Sequence, residues 1–418
     1  MDNNFSEGSA MFDRAAGLYS RCESCEEGAD YFECARLFEE AGETLEKEGA
    51  PVRQCAMAYN RAGMCRFRGG VFGSIKTVKK DDDEARDFER ARELMKQLPE
   101  HNSDPLMAVI RSNLAEYFQR NGENEEAAKL YRQSAVTLSD LMYAELRAGS
   151  PGSAFDQYIG VLKSLAELYR GMEEYIQAET CFTRAINLIE ENGPEGKEKS
   201  SQLAGFYNAR GTVRFKNENY IGEVSDCTRA IELCTLSDSD PLELAIMFCN
   251  RGEAYQLLEK YEEMIVDMRQ ALGELEKCEP SFEAAEMRFR ASYGLARGLE
   301  LSGRGLAAAN AYLAAAQMSR DMSKGMPPAV AKQRLRAEAA CRVSRAVCLE
   351  SCPKHLYYES MKEYNRAAEI LEGLKGEQGV AARLSELYIK RGELYEAFDE
   401  LEEAKRDFLR ADELSDIT

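Results

Sequence analysis

Small and apolar residues return along this chain at the spacing of an α-helix, and a short pattern built from them returns every few dozen residues. In Asn250-Arg251-Gly252-Glu253-Ala254-Tyr255 a small residue precedes an aromatic one by a turn, and Tyr261, Met268 and Ala271 follow. Arg391-Gly392-Glu393-Leu394-Tyr395 is followed by Ala404, Phe408 and Ala411, and Leu165-Ala166-Glu167-Leu168-Tyr169 by Ala178, Phe182 and Ala185. A small residue lets a helix approach its neighbour closely. Alanine, aromatic and alanine at intervals of four and three fall on one face of a second helix. Each copy therefore predicts an antiparallel helix pair. The alanine of the second helix, or its substitute, runs through Ala41, Ala91, Ser134, Ala185, Ala230, Ala271, Ala315, Ala368 and Ala411. These nine copies stand at intervals of roughly 46 residues. No segment sustains strand alternation, so the pattern predicts an all-α chain of about eighteen helices, roughly four-fifths helix.

The pattern resembles the tetratricopeptide repeat, or TPR, with its signature W-x2-L-G-x2-Y…A-x3-F. The likeness is strongest over 162–186, 246–272 and 387–411, fair over 110–134 and 207–230, and weakest over 11–41, 58–91, 291–315 and 343–368. The chain has no Trp, and its period exceeds the usual ~34 residues. Glu223 stands where a small second-helix residue is expected, which predicts looser or shifted packing in that copy. The resemblance implies a TPR-like α-α superhelix of about nine helix pairs, right-handed and forming one solenoid over 1–418. Its repeats match weakly over 1–100 and most clearly over 107–275 and 380–418.

In that family the first helices line a concave face that holds extended peptides, and side-chain amides bond the peptide backbone. Asn60, Asn113 and Asn250 stand two positions before Ala62, Ala115 and Gly252, and Asn208 stands three before Gly211. An amide can both donate to and accept from an unpaired peptide group. Ser164, Gly294 and Lys390 interrupt the series. The same helix positions carry Arg66, Arg120, Lys163, Arg170 and Lys216, with Glu116 and Glu167 among them. The plainer reading is that these polar residues cover a solvated face. The family's carboxylate clamp for chaperone tails cannot be assembled, because Lys163 is followed by Ser164 and Glu167 rather than by asparagines.

Composition narrows the function. The chain has 418 residues, only 10 Pro and a net charge of −20. Such an acidic balance argues against sequence-independent nucleic-acid binding. A basic lining inside an acidic body would instead steer an acidic peptide to the groove. Met1 to Gly8 is polar and acidic, and no stretch approaches the ~20 apolar residues of a membrane span, so the expected location is cytoplasmic.

Thirteen cysteines, an odd number scattered through helical pattern, predict reduced thiols packed as small hydrophobes. Two groups have spacings a metal could use: Cys22 and Cys25 with Cys34, and Cys348, Cys352 and His355 with Cys341. Packing accounts for both equally simply, so no metal or cofactor is expected. His101 and His355 are the only histidines, and no nucleophile–base pair, phosphate loop or HExxH occurs, so no enzyme is expected.

Asp104-Pro105 and Asp240-Pro241 read as helix starts, a capping carboxylate before proline. Gly69 to Asp83 interrupts a helix pair with Val71, Phe72, Ile75 and Val78, then Lys79-Lys80 and three aspartates. It reads either as a docking element or as a long turn folded back on the repeats. The expected function is a non-enzymatic scaffold or adaptor. It would bind an extended, acidic segment of a partner protein through Arg66, Asn113, Arg120, Lys163, Arg170, Asn208, Lys216 and Asn250, with apolar pockets near Tyr117, Phe118 and Phe215. The alternative is a bacterial peptide-sensing or response-regulator-binding regulatory TPR protein.

Overall fold

The periodic segments are helices, and their ends fall where the turn chemistry puts them. The computed structural model describes residues 6–25, 28–72, 83–149, 152–193, 195–237, 240–351 and 356–415. Among these, eighteen α-helices and one short 3-10 turn occur, and no strand. The chain divides into two compact units, 1–188 and 189–418.

The first unit contains α1 (Glu7–Cys25), α2 (Gly28–Lys47), α3 (Val52–Phe72), α4 (Asp83–Met95), α5 (Pro105–Arg120), α6 (Asn124–Arg147), α7 (Ala154–Gly171) and most of α8 (Tyr175–Asn192). Helix α1 packs on α2, α3 on α4 and α5 on α6, and each pair also touches the first helix of the next. The second unit repeats the scheme with α9 (Lys197–Lys216), α10 (Tyr220–Ser237), α11 (Pro241–Leu257), α12 (Tyr261–Leu275) and α13 (Phe282–Leu301). It continues with α14 (Gly305–Ser323), α15 (Pro328–Glu350), α16 (Tyr357–Glu372), α17 (Val380–Ala397) and α18 (Leu401–Ser415). The all-α, TPR-like repeat of antiparallel pairs implied by the sequence is the fold found.

The alanine series marks the second helix of every pair. Ala41, Ala91, Ser134, Ala185, Ala230, Ala271, Ala315, Ala368 and Ala411 fall on α2, α4 and so on through α18, and all are buried. Their first-helix counterparts are small because a larger residue would collide. A Cβ on Gly392 would lie 2.7 Å from the Phe408 ring, and one on Gly252 would lie 2.5 Å from the end of Met268. The long side chain at Glu223 is packed in rather than displaced. Glu223 is only 2% exposed, and its Cγ would be 3.6 Å from a Cβ on Gly211.

Short connections within the pairs share one geometry. Gly122, Glu173, Glu218, Glu259, Gly303 and Asp399 all have positive φ, between 57° and 82°. The next residue's N–H donates back to the helix end, as Glu174 does to the Tyr169 carbonyl at 2.8 Å and Lys260 to that of Tyr255 at 2.9 Å. This left-handed cap reverses the chain with its last helical carbonyls satisfied. Helix starts follow the expected chemistry: Asp104 accepts from the Leu106 N–H at 2.7 Å and Asp240 from the Leu242 N–H at 2.9 Å. Of the 69–83 insertion, residues 69–72 finish α3 and Asp83 opens α4, while 73–82 lie outside the described residues.

Candidate functional site

The asparagines singled out by the sequence lie on first helices, and the structure joins them to one another. In the first unit, Asn113 on α5 donates through Nδ2 to Asn60 Oδ1 on α3 at 2.9 Å. In the second, Asn250 on α11 donates to Asn208 Oδ1 on α9 at 2.8 Å. That series continues to α13, where Arg290 donates to Asn250 Oδ1 at 2.9 Å and pairs with Glu253 at 2.6 Å. Arg290 lies one turn before Gly294, where the sequence reading found the ladder broken. The amide series thus passes to a guanidinium rather than ending.

The cations divide by what already holds them. Arg66, largely buried, is gripped by Glu39 and Asp87. The Arg120 guanidinium stacks 4.3 Å from the Phe67 ring centroid, and its Nη1 donates to the Phe67 carbonyl at 3.4 Å. Arg170 is half-exposed and pairs with Glu167, one turn before it. Lys163 on α7 and Lys216 at the end of α9 are exposed and have no ion-pair partner among the described residues. Glu116 is exposed at the surface, yet the protein around it raises its carboxyl above the ordinary range by desolvation while Arg68 and Arg120 oppose that rise. Tyr117 and Phe118 meet edge-on with centroids 5.6 Å apart, and Phe215 meets Tyr220 likewise at 5.5 Å.

One set of residues escaped the sequence reading although its signal was present. Arg210, Arg251 and Arg391 each immediately precede a glycine, and each has an aspartate 16 positions on. All three pairs are two-pronged. Arg210 reaches Asp226 at 2.9 and 2.7 Å, Arg251 reaches Asp267 at 2.8 and 2.7 Å, and Arg391 reaches Asp407 at 2.6 and 2.7 Å. These bridges clamp the first helix of a pair to the second, with the aspartates buried. Arg342 plays a related part on α15, bonded to Glu338 at 2.9 Å and to Glu363 at 2.8 Å.

Beneath the amide series of the second unit lies Glu223. Its Oε2 is buried without a hydrogen-bond partner. Burial first, and Glu253 next, push its carboxyl up to about 8, against the pull of Arg290. Glu223 is therefore mostly protonated at neutral pH.

The cysteines are packing residues wherever they are described. Cys22 and Cys34 lie 3.5 Å apart, sulfur to sulfur, as free thiols, while the side chain of Cys25 is outside the described residues. Cys341 and Cys348 are buried in one apolar cluster of α12 to α15, and Cys352 and His355 also lie outside the described residues. Burial pushes the thiols of Cys65, Cys249 and Cys341 up to about 12, far from the thiolate that attacks or binds metal. Among the described residues no group of three or more His, Cys, Asp or Glu could hold a metal ion. No described helix is long and apolar enough to cross a membrane. His101 sits in the short 3-10 turn with Nδ1 2.9 Å from the Leu98 carbonyl.

Comparison with known proteins bears on the fold. A family profile described as tetratricopeptide repeat matches residues 245–277, the α11–α12 pair. Sperm-associated antigen 1 of Homo sapiens is 27% identical over 155 residues, which is 37% of this chain and 16% of that protein's length. Among solved structures, the apo form of RapI aligns over 97% of both chains with a TM-score of 0.58 at 13% identity. A signal transduction ATPase with a tetratricopeptide repeat sensor from Pyrococcus horikoshii aligns over 90% of this chain and 52% of its own, with a TM-score of 0.52 at 14% identity. These likenesses are of fold. With its helix pairs, its buried alanine series and the repeat matched on α11–α12, the chain has a tetratricopeptide-repeat-like fold and carries at least one recognised tetratricopeptide repeat.

Proposed function

We propose that this protein is an interaction scaffold without chemistry of its own, and that the first-helix faces bind an extended, net-acidic segment of another protein. The observation that carries this reading is the joined asparagines. In each pair one amide donates and the other accepts, Asn113 to Asn60 and Asn250 to Asn208, leaving further amide valences for a peptide backbone. Lys163 in the first unit and Lys216 in the second pair with the peptide's carboxylates, and Arg120 and Arg170, already engaged by Phe67 and Glu167, do so by exchanging partners. Arg66, already held by Glu39 and Asp87, serves chiefly to set the face in place. Repeats of this kind are in general interaction surfaces rather than catalysts.

Each exposed ion pair contributes on the order of 1 kcal/mol or less, so affinity comes from several contacts together with apolar ones near Tyr117, Phe118 and Phe215. The test is binding of capped decapeptides graded from acidic to basic, using the full chain and the Lys163→Glu/Lys216→Glu variant. Both lysines are exposed, so helicity and Tm stay as in the parent while acidic peptides are lost. Equal binding by the variant, or a preference for basic peptides, overturns the reading. A native pulldown that yields a short peptide in place of a folded protein selects the regulatory, peptide-sensing form of it.

A further inference from the structure

We infer that the C-terminal repeats hold a second docking site, for an internal acidic segment that inserts one large apolar side chain. First helices α13, α15 and α17, with Leu371 of α16, border an open cavity of about 350 Å³. Three of the α15 residues facing it, Ala339, Ala340 and Ser344, are short and leave space beside Val343, Val347, Leu387 and Leu371 of α16, which form an apolar floor. No residue of the amide series borders it.

The rim is cationic in a chain whose net charge is −20. Arg297, Arg336, Arg383 and Lys390 face the cavity against two carboxylates, Glu300 and Glu386. Glu300 is already committed: one oxygen accepts from Arg297 at 2.9 Å and from the Tyr312 hydroxyl at 2.6 Å. Glu386 is exposed and holds Lys390 only at 3.5 Å. Arg336 reaches Glu377 through a single 3.5 Å contact, and its Nε–H has no acceptor. Arg383 is exposed, with no ion-pair partner among the described residues. Positive charge is thus in surplus around a hollow with an apolar floor. The hollow admits one side chain the size of leucine or phenylalanine, and carboxylates on either side of that residue meet the rim. A nucleic acid would satisfy the rim and leave the floor unused.

The probe is a fluorescent peptide capped at both ends, with one phenylalanine between runs of glutamate. Its anisotropy is measured with the full-length chain at low salt. Ala340 and Arg383 are both exposed, so Ala340→Phe fills the hollow, and Arg383→Glu reverses the rim, without touching the core. Each variant keeps the parent Tm and weakens the probe roughly tenfold or more, as does replacing the peptide's phenylalanine with alanine. Lys216→Glu, on the face proposed above, leaves this probe unaffected. The inference fails if Ala340→Phe binds like the parent, if the alanine peptide binds equally, or if only a peptide with a free C-terminal carboxylate binds. Loss of the probe on Lys216→Glu places it on the other face, which also overturns the inference while leaving the scaffold reading standing.

Discussion

At the scale of single residues, two kinds of buried charge do different work. Glu223 has no partner and is held neutral, with its carboxyl pushed up to about 8 by burial and by Glu253. Because the folded chain binds that proton more tightly than the unfolded one, its contribution to stability is greatest at low pH. That contribution is lost as pH rises from the ordinary carboxyl range, roughly 4.5, to about 8. Glu223→Gln keeps a neutral side chain at every pH. Thermal melts over roughly pH 5 to 9 should show the parent losing stability relative to this variant; parallel curves would refute the assignment.

The Arg–Asp bridges are the opposite case, charge satisfied by charge. Removing one partner, as in Asp267→Leu, strands the Arg251 guanidinium and should cost about 3 kcal/mol or more. The double variant Arg251→Met/Asp267→Leu should recover much of that loss, and chemical denaturation of the two separates pair energy from desolvation. The sequence displayed these residues without displaying their partners. Arg66 read as groove lining because its partners, Glu39 and Asp87, lie far along the chain. Asn60 and Asn113 read as peptide contacts, and their bond to each other across 53 positions had no local signature. Arg-Gly with aspartate 16 residues on was legible in principle, since it recurs three times with the same spacing.

At the scale of elements, the helix pairs depend on a cap that the sequence mostly conceals. The turns centred on Glu173, Glu218, Glu259 and Asp399 place ordinary residues at positive φ, a conformation that costs an L-residue about 1 kcal/mol and that glycine adopts freely. Glu259→Gly should therefore raise Tm slightly, by the equivalent of roughly 0.5–1 kcal/mol, while Gly303→Ala should lower it by about as much. A shift of the opposite sign in either melt would count against the strain. Reading turns from glycine and proline alone misses these four. The helices were nevertheless legible because the alanine series and its aromatic neighbours report packing, which persists where turn residues vary. The same logic explains why the weakly matching first hundred residues still form pairs. Ala41 and Ala91 are fully buried, although little else in α1 to α4 matches the repeat.

At the scale of the whole molecule, the chain offers amide-bearing faces, a cationic hollow near its C-terminal end and a set of thiols buried out of reach. Cys65, Cys249 and Cys341 are buried and poorly ionised, so a thiol reagent at neutral pH should react with them slowly in the native protein and rapidly after denaturation. Fast stoichiometric labelling of these three without loss of structure would contradict the burial. A partner that pairs carboxylates with exposed lysines should dissociate as salt rises, since such contacts are screened within about 10 Å at 0.1 M ionic strength.

The two bonding schemes also differ in how much chain they close. An Arg–Asp bridge joins residues 16 apart within one helix pair, whereas the amide contacts join residues 42 or 53 apart in successive pairs. Short loops close at lower entropic cost and earlier in folding. Each hairpin can thus set before its neighbour docks, and the amide face comes into being only when two hairpins meet. A partner gripping that face would sense the junction between repeats and dissociate when a single junction opens, long before the chain as a whole unfolds.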